Sequence, residues 1–93
     1  MYVVKLTGFR ELETRAFCPI GTLGEFHEYE DADEFASECS DELAPVEWVL
    51  CRAHNIDGIT IDVCNAHGDV EVSYEYIPGR PMTAYYGDEC HEL

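Results

Sequence analysis

The stretch of the chain that decides its fold lies at residues 59–77 and reads ITIDVCNAHGDVEVSYEYI. Its two halves, residues 59–64 and 70–77, alternate apolar and polar side chains around a turn rich in Asn, Gly and Asp. This period of two is typical of antiparallel strands that bury one face and expose the other. The residues expected to face inward are Ile59, Ile61, Val63, Val70, Val72, Tyr74 and Tyr76, and those expected to face outward are Glu71, Ser73 and Glu75.

Five further runs have strand-forming patterns. Residues 2–7 alternate and begin with residues that favour strands, which places Tyr2, Val4 and Leu6 on one face. A turn is expected at residues 21–24, where two glycines lie close together. The other expected strands are residues 13–20, a short edge strand at 25–29, residues 46–53 including Trp48, and residues 82–86.

The clearest helix follows Asp31, which is a plausible N-cap with Glu34 three residues later. Pro45 discourages helix at Ala44 and so ends the segment. The spacing i, i+3, i+4, i+7 predicts an apolar stripe. Its members are Ala32, Phe35, Ala36, Cys39 and Leu43.

Together these patterns predict an α+β fold. We expect an antiparallel sheet of about four to six strands, with a meander in the C-terminal half and one main amphipathic helix packed on one face. The 93 residues suffice for one domain, residues 1–93, in which residues 87–93 form a flexible acidic tail.

The charge excludes several classes of partner. The chain has 20 acidic residues against 5 basic ones, a net charge of −15. Such a surface repels nucleic acid and anionic membranes, so the natural partners are a basic protein, a cation or a very salty solvent. The five cysteines are an odd number, and no secretory signal or long apolar run is visible. We therefore expect a cytoplasmic protein that binds neither nucleic acid nor membrane directly.

The acids concentrate between residues 25 and 47. Acids two apart on a strand lie about 7 Å apart, and acids four apart on a helix about 6 Å apart. A DNA strand presents a phosphate about every 3.4 Å, so rigidly held carboxylates can approximate a phosphate row. We expect Tyr29 to be an aromatic anchor beside them. The expected partner-binding acids are Glu25, Glu28, Glu30, Asp31, Asp33, Glu34, Glu38, Asp41, Glu42 and Glu47, with Asp62, Glu71 and Glu75 on the outer face of the meander.

Two similar motifs could hold a metal ion. Cys51 and His54, followed by Cys64 and His67, supply a ligand set that suits tetrahedral zinc. However, the strand expected between the motifs would separate them by about 17 Å, which is too far for one ion. No nucleotide-binding or nucleophile motif is present. The sequence therefore predicts a protein that is not an enzyme and holds no cofactor, with a small zinc module as an alternative.

Several short motifs resemble one unit of the ArdA antirestriction proteins. They are Gly21-Thr-Leu-Gly24-Glu-Phe26, the acidic helix start at residues 31–35, Glu47-Trp48-Val-Leu and Asn55-Ile-Asp-Gly58. Phe26 stands where that family has Trp, and Asp57 where it has Pro. The resemblance implies an acidic DNA mimic that occupies the DNA-binding groove of a restriction enzyme. In size, acidity and lack of catalytic motifs the chain is also similar to small phage proteins that inhibit CRISPR effectors.

These lines converge on one hypothesis. We expect a viral, DNA-mimicking inhibitor that binds the basic cleft of a host defence nuclease, either a CRISPR effector or a restriction enzyme, and so blocks DNA binding. It would act in the cytoplasm of the host cell. The sequence leaves open a homodimer, an RNA-binding rather than a DNA-binding target, and a third interpretation as a salt-adapted protein-interaction domain.

Overall fold

The structure is a computed structural model that describes residues 1–10, 16–43, 51–53, 55–86 and 89–92. Six strands form one antiparallel sheet in the order β2-β1-β3-β4-β5-β6, and α1 packs on one of its faces. The predicted α+β fold is confirmed, including the meander, which runs from β3 to β6. The elements are β1 (Tyr2–Arg10), β2 (Ala16–Phe26), α1 (Tyr29–Leu43), β3 (Gly58–Cys64), β4 (Val70–Tyr76), β5 (Thr83–Tyr86) and β6 (Glu89–Glu92).

The core lies between α1 and the inner face of the sheet. One row of cross-strand partners joins Leu6, Ile61, Tyr74 and Ala84. Small residues let α1 approach closely, since Ala32 and Ala36 are completely buried. Most of the residues expected to face inward do so. Those buried beneath α1 are Val4, Leu6, Ile59, Ile61, Val63, Val72, Tyr74 and Tyr76.

The second strand differs from the prediction. A turn was expected at residues 21–24, whereas β2 continues through them as one strand paired with β1. The pairing of β1 with β2 contains two register shifts, between Val4 and Lys5 and between Leu6 and Thr7, which allow β2 to stay paired along its length. Gly24 lies beneath aromatic rings, and a Cβ there would be 3.2 Å from the ring of Phe35. Gly24 therefore allows close packing of these rings, and neither Gly21 nor Gly24 reverses the chain.

Two other local predictions were wrong. Residues 51–53 are helical, although residues 46–53 were expected to form a strand whose centre, Trp48, lies outside the described residues. The helix α1 begins at Tyr29, two residues before the expected N-cap Asp31. The amide of Ala32 donates to the carbonyl of Glu28 at 3.2 Å, so Glu28, and not Asp31, is the N-cap residue.

The meander also departs from strict alternation at both ends of β4. Val70 was expected inside but is 51% exposed, because a register shift between Val63 and Cys64 displaces the start of the strand. Glu75 lies on the outer face as expected, yet it is only 7% exposed. Where a frayed tail was expected, residues 89–92 form β6 and pair with β5.

Candidate protein-binding surface

The exposed side of α1 is the most strongly charged part of the described structure. At 100° per residue, the six exposed acids of the helix fall within an arc of about 120°. We call this set the acidic ridge. Its members are Glu30, Asp31, Glu34, Glu38, Asp41 and Glu42.

The ridge has a charge spacing close to that of a nucleic acid strand. From Glu30 to Glu42 the helix rises about 18 Å, which corresponds to roughly one carboxylate per 3 Å. One strand of duplex DNA carries a phosphate about every 3.4 Å. The ridge therefore matches the linear charge density of a short stretch of DNA strand, although its carboxylates alternate across the helix surface.

This arrangement is unfavourable for the helix itself. Acids in the first turn, Glu30 and Asp31, interact well with the positive end of the helix dipole. The last turn contains no basic residue, so Asp41 and Glu42 face the negative end. Like charges four residues apart, such as Glu34 and Glu38, repel each other by a few tenths of a kcal/mol. The helix must therefore be held in place mainly by its contacts with the sheet.

Two tyrosines of β4 fix α1 against the sheet. The hydroxyl of Tyr74 donates to Oδ1 of Asp33 at 2.7 Å, and the hydroxyl of Tyr76 donates to the backbone carbonyl of Ser40 at 2.5 Å. Burial raises the pKa of Tyr74, and its hydrogen bonds to Tyr86 and Asp33 raise it further. Tyr74 therefore stays protonated at neutral pH and remains a donor. These contacts set the rotation of α1, which directs the acidic ridge toward solvent.

An aromatic groove runs beside the ridge. Phe26 at the end of β2 and Phe35 of α1 lie with their ring centroids 5.0 Å apart. With Asp31, Glu34 and Glu38 they line a shallow cavity of about 360 Å³. We call it the phenylalanine groove. It combines half-buried aromatic rings with a row of carboxylates, which is the composition expected of a surface that binds a basic protein.

The structure changes the assignment of the aromatic anchor. Tyr29, the residue expected from sequence, is half-buried and packs edge-on against Tyr2 at 5.7 Å. Burial raises the pKa of Tyr29, and the neighbouring Asp33 adds to that effect. Phe26 and Phe35 are the aromatic residues that line the groove. The helical spacing predicted Phe35 in the apolar stripe of α1. The sequence did not indicate that Phe26 lies beside Phe35, because only the pairing of β2 with β1 brings Phe26 next to α1.

The remaining expected contact residues do not all join the ridge. Glu28 is exposed in the connection that leads into α1. Glu25 pairs with Val3 and so shares the sheet face opposite α1, which we call the open face.

Glu71 is exposed at the start of β4 and accepts a hydrogen bond from Asn65 at 2.8 Å. The open face also carries Asp62 and Glu75, whereas Asp33 is half-buried under the ridge and Glu47 lies outside the described residues.

The geometry does not assemble the zinc site considered from sequence. Cys51 lies close to the first residue of β3 and Cys64 is its last, so about 20 Å of strand separates them. His67 is exposed in the turn after β3, and His54 lies outside the described residues. In the part of the chain that the structure describes, no three potential ligands lie together as a metal site.

Comparison with known proteins gives no relative for the chain: no family model, curated protein or solved structure matches it. The same described residues include no helix that is long and apolar enough to cross a membrane.

Proposed function

We propose that this protein is a DNA-mimicking inhibitor that binds the basic nucleic-acid-binding cleft of a host defence nuclease, either a CRISPR effector or a restriction enzyme. The observation that carries the proposal is the acidic ridge. It holds six carboxylates within an arc of about 120° and at roughly the charge spacing of one DNA strand. A cleft built to bind phosphates would attract the ridge and would then be closed to DNA.

The phenylalanine groove supports the same function. Charges on a surface chiefly accelerate encounter and exclude wrong partners, whereas buried aromatic residues supply much of the affinity. Phe26 and Phe35 lie directly beside three ridge acids, so an approaching basic helix or loop can contact both kinds of group. We expect arginine and lysine side chains of the cleft to contact the ridge while an apolar residue next to them enters the groove.

A DNA-displacement assay tests the proposal. Purified CRISPR effectors and restriction enzymes are loaded with a fluorescent duplex, and the protein is titrated against each complex at fixed salt. We expect stoichiometric displacement from at least one of them. Glu38→Lys should weaken displacement by at least about tenfold, which corresponds to roughly 1.4 kcal/mol, because it places a cation at the centre of the ridge.

Asp69→Lys is the matched control. It makes the same charge change at an exposed residue of the turn between β3 and β4, outside the acidic ridge, and should leave displacement nearly unchanged. If both variants weaken displacement equally, bulk charge and not the ridge is responsible. If the unmodified protein displaces DNA from none of these nucleases, the proposed function is wrong.

A further inference from the structure

A second cavity lies on the open face, away from α1. Cross-strand pairing places Asp62 between Lys5 of β1 and Ser73 of β4, and Ser73 is followed by Tyr85 of β5. Thr60 lies one row away on the same face. A cavity of about 470 Å³ lies on this face and is lined by Thr60, Asp62, Ser73 and Tyr85 among others, and its volume is within the range of small-ligand pockets. We call it the open-face pocket.

The carboxylate of Asp62 lies at the polar side of this pocket. Its Oδ1 accepts from the Ser73 hydroxyl at 2.6 Å, and its Oδ2 accepts from the Thr60 hydroxyl at 3.1 Å. Burial raises the pKa of Asp62, while these hydrogen bonds and the positive charge of Lys5 act in the opposite direction. The hydroxyls therefore hold an oriented, partly desolvated carboxylate. Glu75, also in the pocket wall, adds a second acidic side chain.

The apolar side of the pocket is unusually exposed. Phe17 is 62% exposed and Val70 is 51% exposed, and both line the cavity. The ring of Phe17 is held edge-on against Phe9 at 6.4 Å. Phe9 is fixed in turn by Gly58, where a Cβ would lie 2.3 Å from its ring and could not be accommodated. The ring of Phe17 is thus held in a defined orientation and exposed to solvent in the same pocket as the Asp62 carboxylate.

We propose that the open-face pocket binds the guanidinium group of an arginine side chain from a basic partner. The net charge of −15 attracts cationic partners to this protein in general. A guanidinium group is planar, stacks on aromatic rings and is more weakly hydrated than an ammonium group, so it suits a half-buried carboxylate flanked by Phe17 and Tyr85. The aliphatic part of the arginine would cover Val70. Because the pocket is on the face opposite the acidic ridge, the inference stands independently of the inhibitor function.

An NMR titration without any nuclease tests the inference. The probe is Nα-acetyl-arginine methylamide, and the matched control is the citrulline analogue, which has nearly the same shape but an uncharged urea group. We expect the arginine probe to produce saturable shifts of the backbone amides of Thr60, Asp62 and Ser73. The citrulline probe should bind at least about tenfold more weakly.

Two variants separate the contributions of charge and stacking. Asp62→Asn removes the charge and should weaken arginine binding at least tenfold, while Phe17→Ala removes an exposed ring and should weaken it severalfold without endangering the fold. Glu38→Gln on the acidic ridge is the control and should have no effect. Equal binding of both probes, unchanged binding by both pocket variants, or shifts confined to α1 would each overturn the inference.

Discussion

Asp62 is an acidic residue whose burial disfavours the charged form of its side chain. Its side chain is half-buried on the open face, and burial raises the pKa of its carboxyl above the ordinary value of 3.8. An acid with a raised pKa in the folded state binds protons more strongly there than in the unfolded state. Its contribution to stability is therefore fully present below pH 3.8 and is lost as the pH rises through the folded-state pKa. Asp62 makes the fold less stable at neutral pH.

Asp62→Asn should therefore increase thermal stability at pH 7, by roughly a few degrees in Tm. The difference from the unmodified protein should shrink as the pH falls through the folded-state pKa toward 3.8, and it should be small below 3.8, where both side chains are largely neutral. Circular dichroism melts at pH 7 and pH 3.5 measure both values. The control is Asp69→Asn, which removes an exposed charge from a turn and reports relief of general repulsion. A smaller gain for Asp62→Asn than for Asp69→Asn at pH 7 would contradict this explanation.

At the scale of single elements, α1 was largely predictable and its neighbours were not. Its apolar stripe follows a period of 3.6, and the structure buries Ala32 and Ala36 from that stripe. The first residue was misplaced because Asp31 resembles an N-cap, whereas the backbone of Glu28 accepts the first helical hydrogen bond. The expected turn at residues 21–24 failed for a tertiary reason: pairing with the nine residues of β1 favours a continuous β2 over a local reversal.

The unfavourable acids of α1 lead to a prediction about its two ends. Neutralising the last-turn pair, Asp41→Asn with Glu42→Gln, should stabilise the protein because it removes charges from the negative end of the helix dipole. Neutralising the first-turn pair, Glu30→Gln with Asp31→Asn, removes charges that interact favourably with the positive end of the helix dipole. The free energy of unfolding of this variant should therefore be about 1 kcal/mol lower than that of the last-turn variant. For a domain of this size that is a Tm difference of about 4–8 °C.

The two double variants control for each other, since each removes two negative charges from the same helix. Thermal melts at low ionic strength compare them, and the DNA-displacement assay should show weaker inhibition for both. An identical Tm for the two variants would mean that repulsion over the whole molecule, and not the helix dipole, governs the stability of α1.

For the molecule as a whole, the net charge of −15 makes salt act in opposite directions on stability and on binding. Added salt shortens the Debye length from about 30 Å at 0.01 M to about 8 Å at 0.15 M. Screening weakens the repulsion among the acids, so Tm should rise across this range. The same screening should weaken attraction to a basic cleft, so displacement of DNA should become less efficient.

Melting curves and DNA displacement measured at both salt concentrations test this prediction. Glycerol at matched viscosity is the control for effects of solution conditions other than ionic strength. A salt-adapted interaction domain behaves differently: it unfolds at 0.01 M salt, and its binding does not weaken as salt is added. Observation of that pattern would favour the third interpretation of the sequence over the inhibitor.

The meander, the helix and the excess of acid all follow from local periodicity or composition. Alternation at residues 59–77 placed Ile61 and Tyr74 in the core, and the structure buries both. Helical spacing likewise separated the acids of α1 from its apolar stripe. These properties need no knowledge of which strand lies beside which.

How the acids divide between the two faces of the molecule depends on the tertiary structure. The order β2-β1-β3 brings Phe26 beside Phe35, and the pairing of β3 with β4 brings Ser73 to Asp62. It also places Asp62 and Glu75 on the face opposite the acidic ridge, so the acids expected to act together form two separate sites. Strand order depends on contacts between residues far apart in the chain, and local sequence patterns do not predict those contacts.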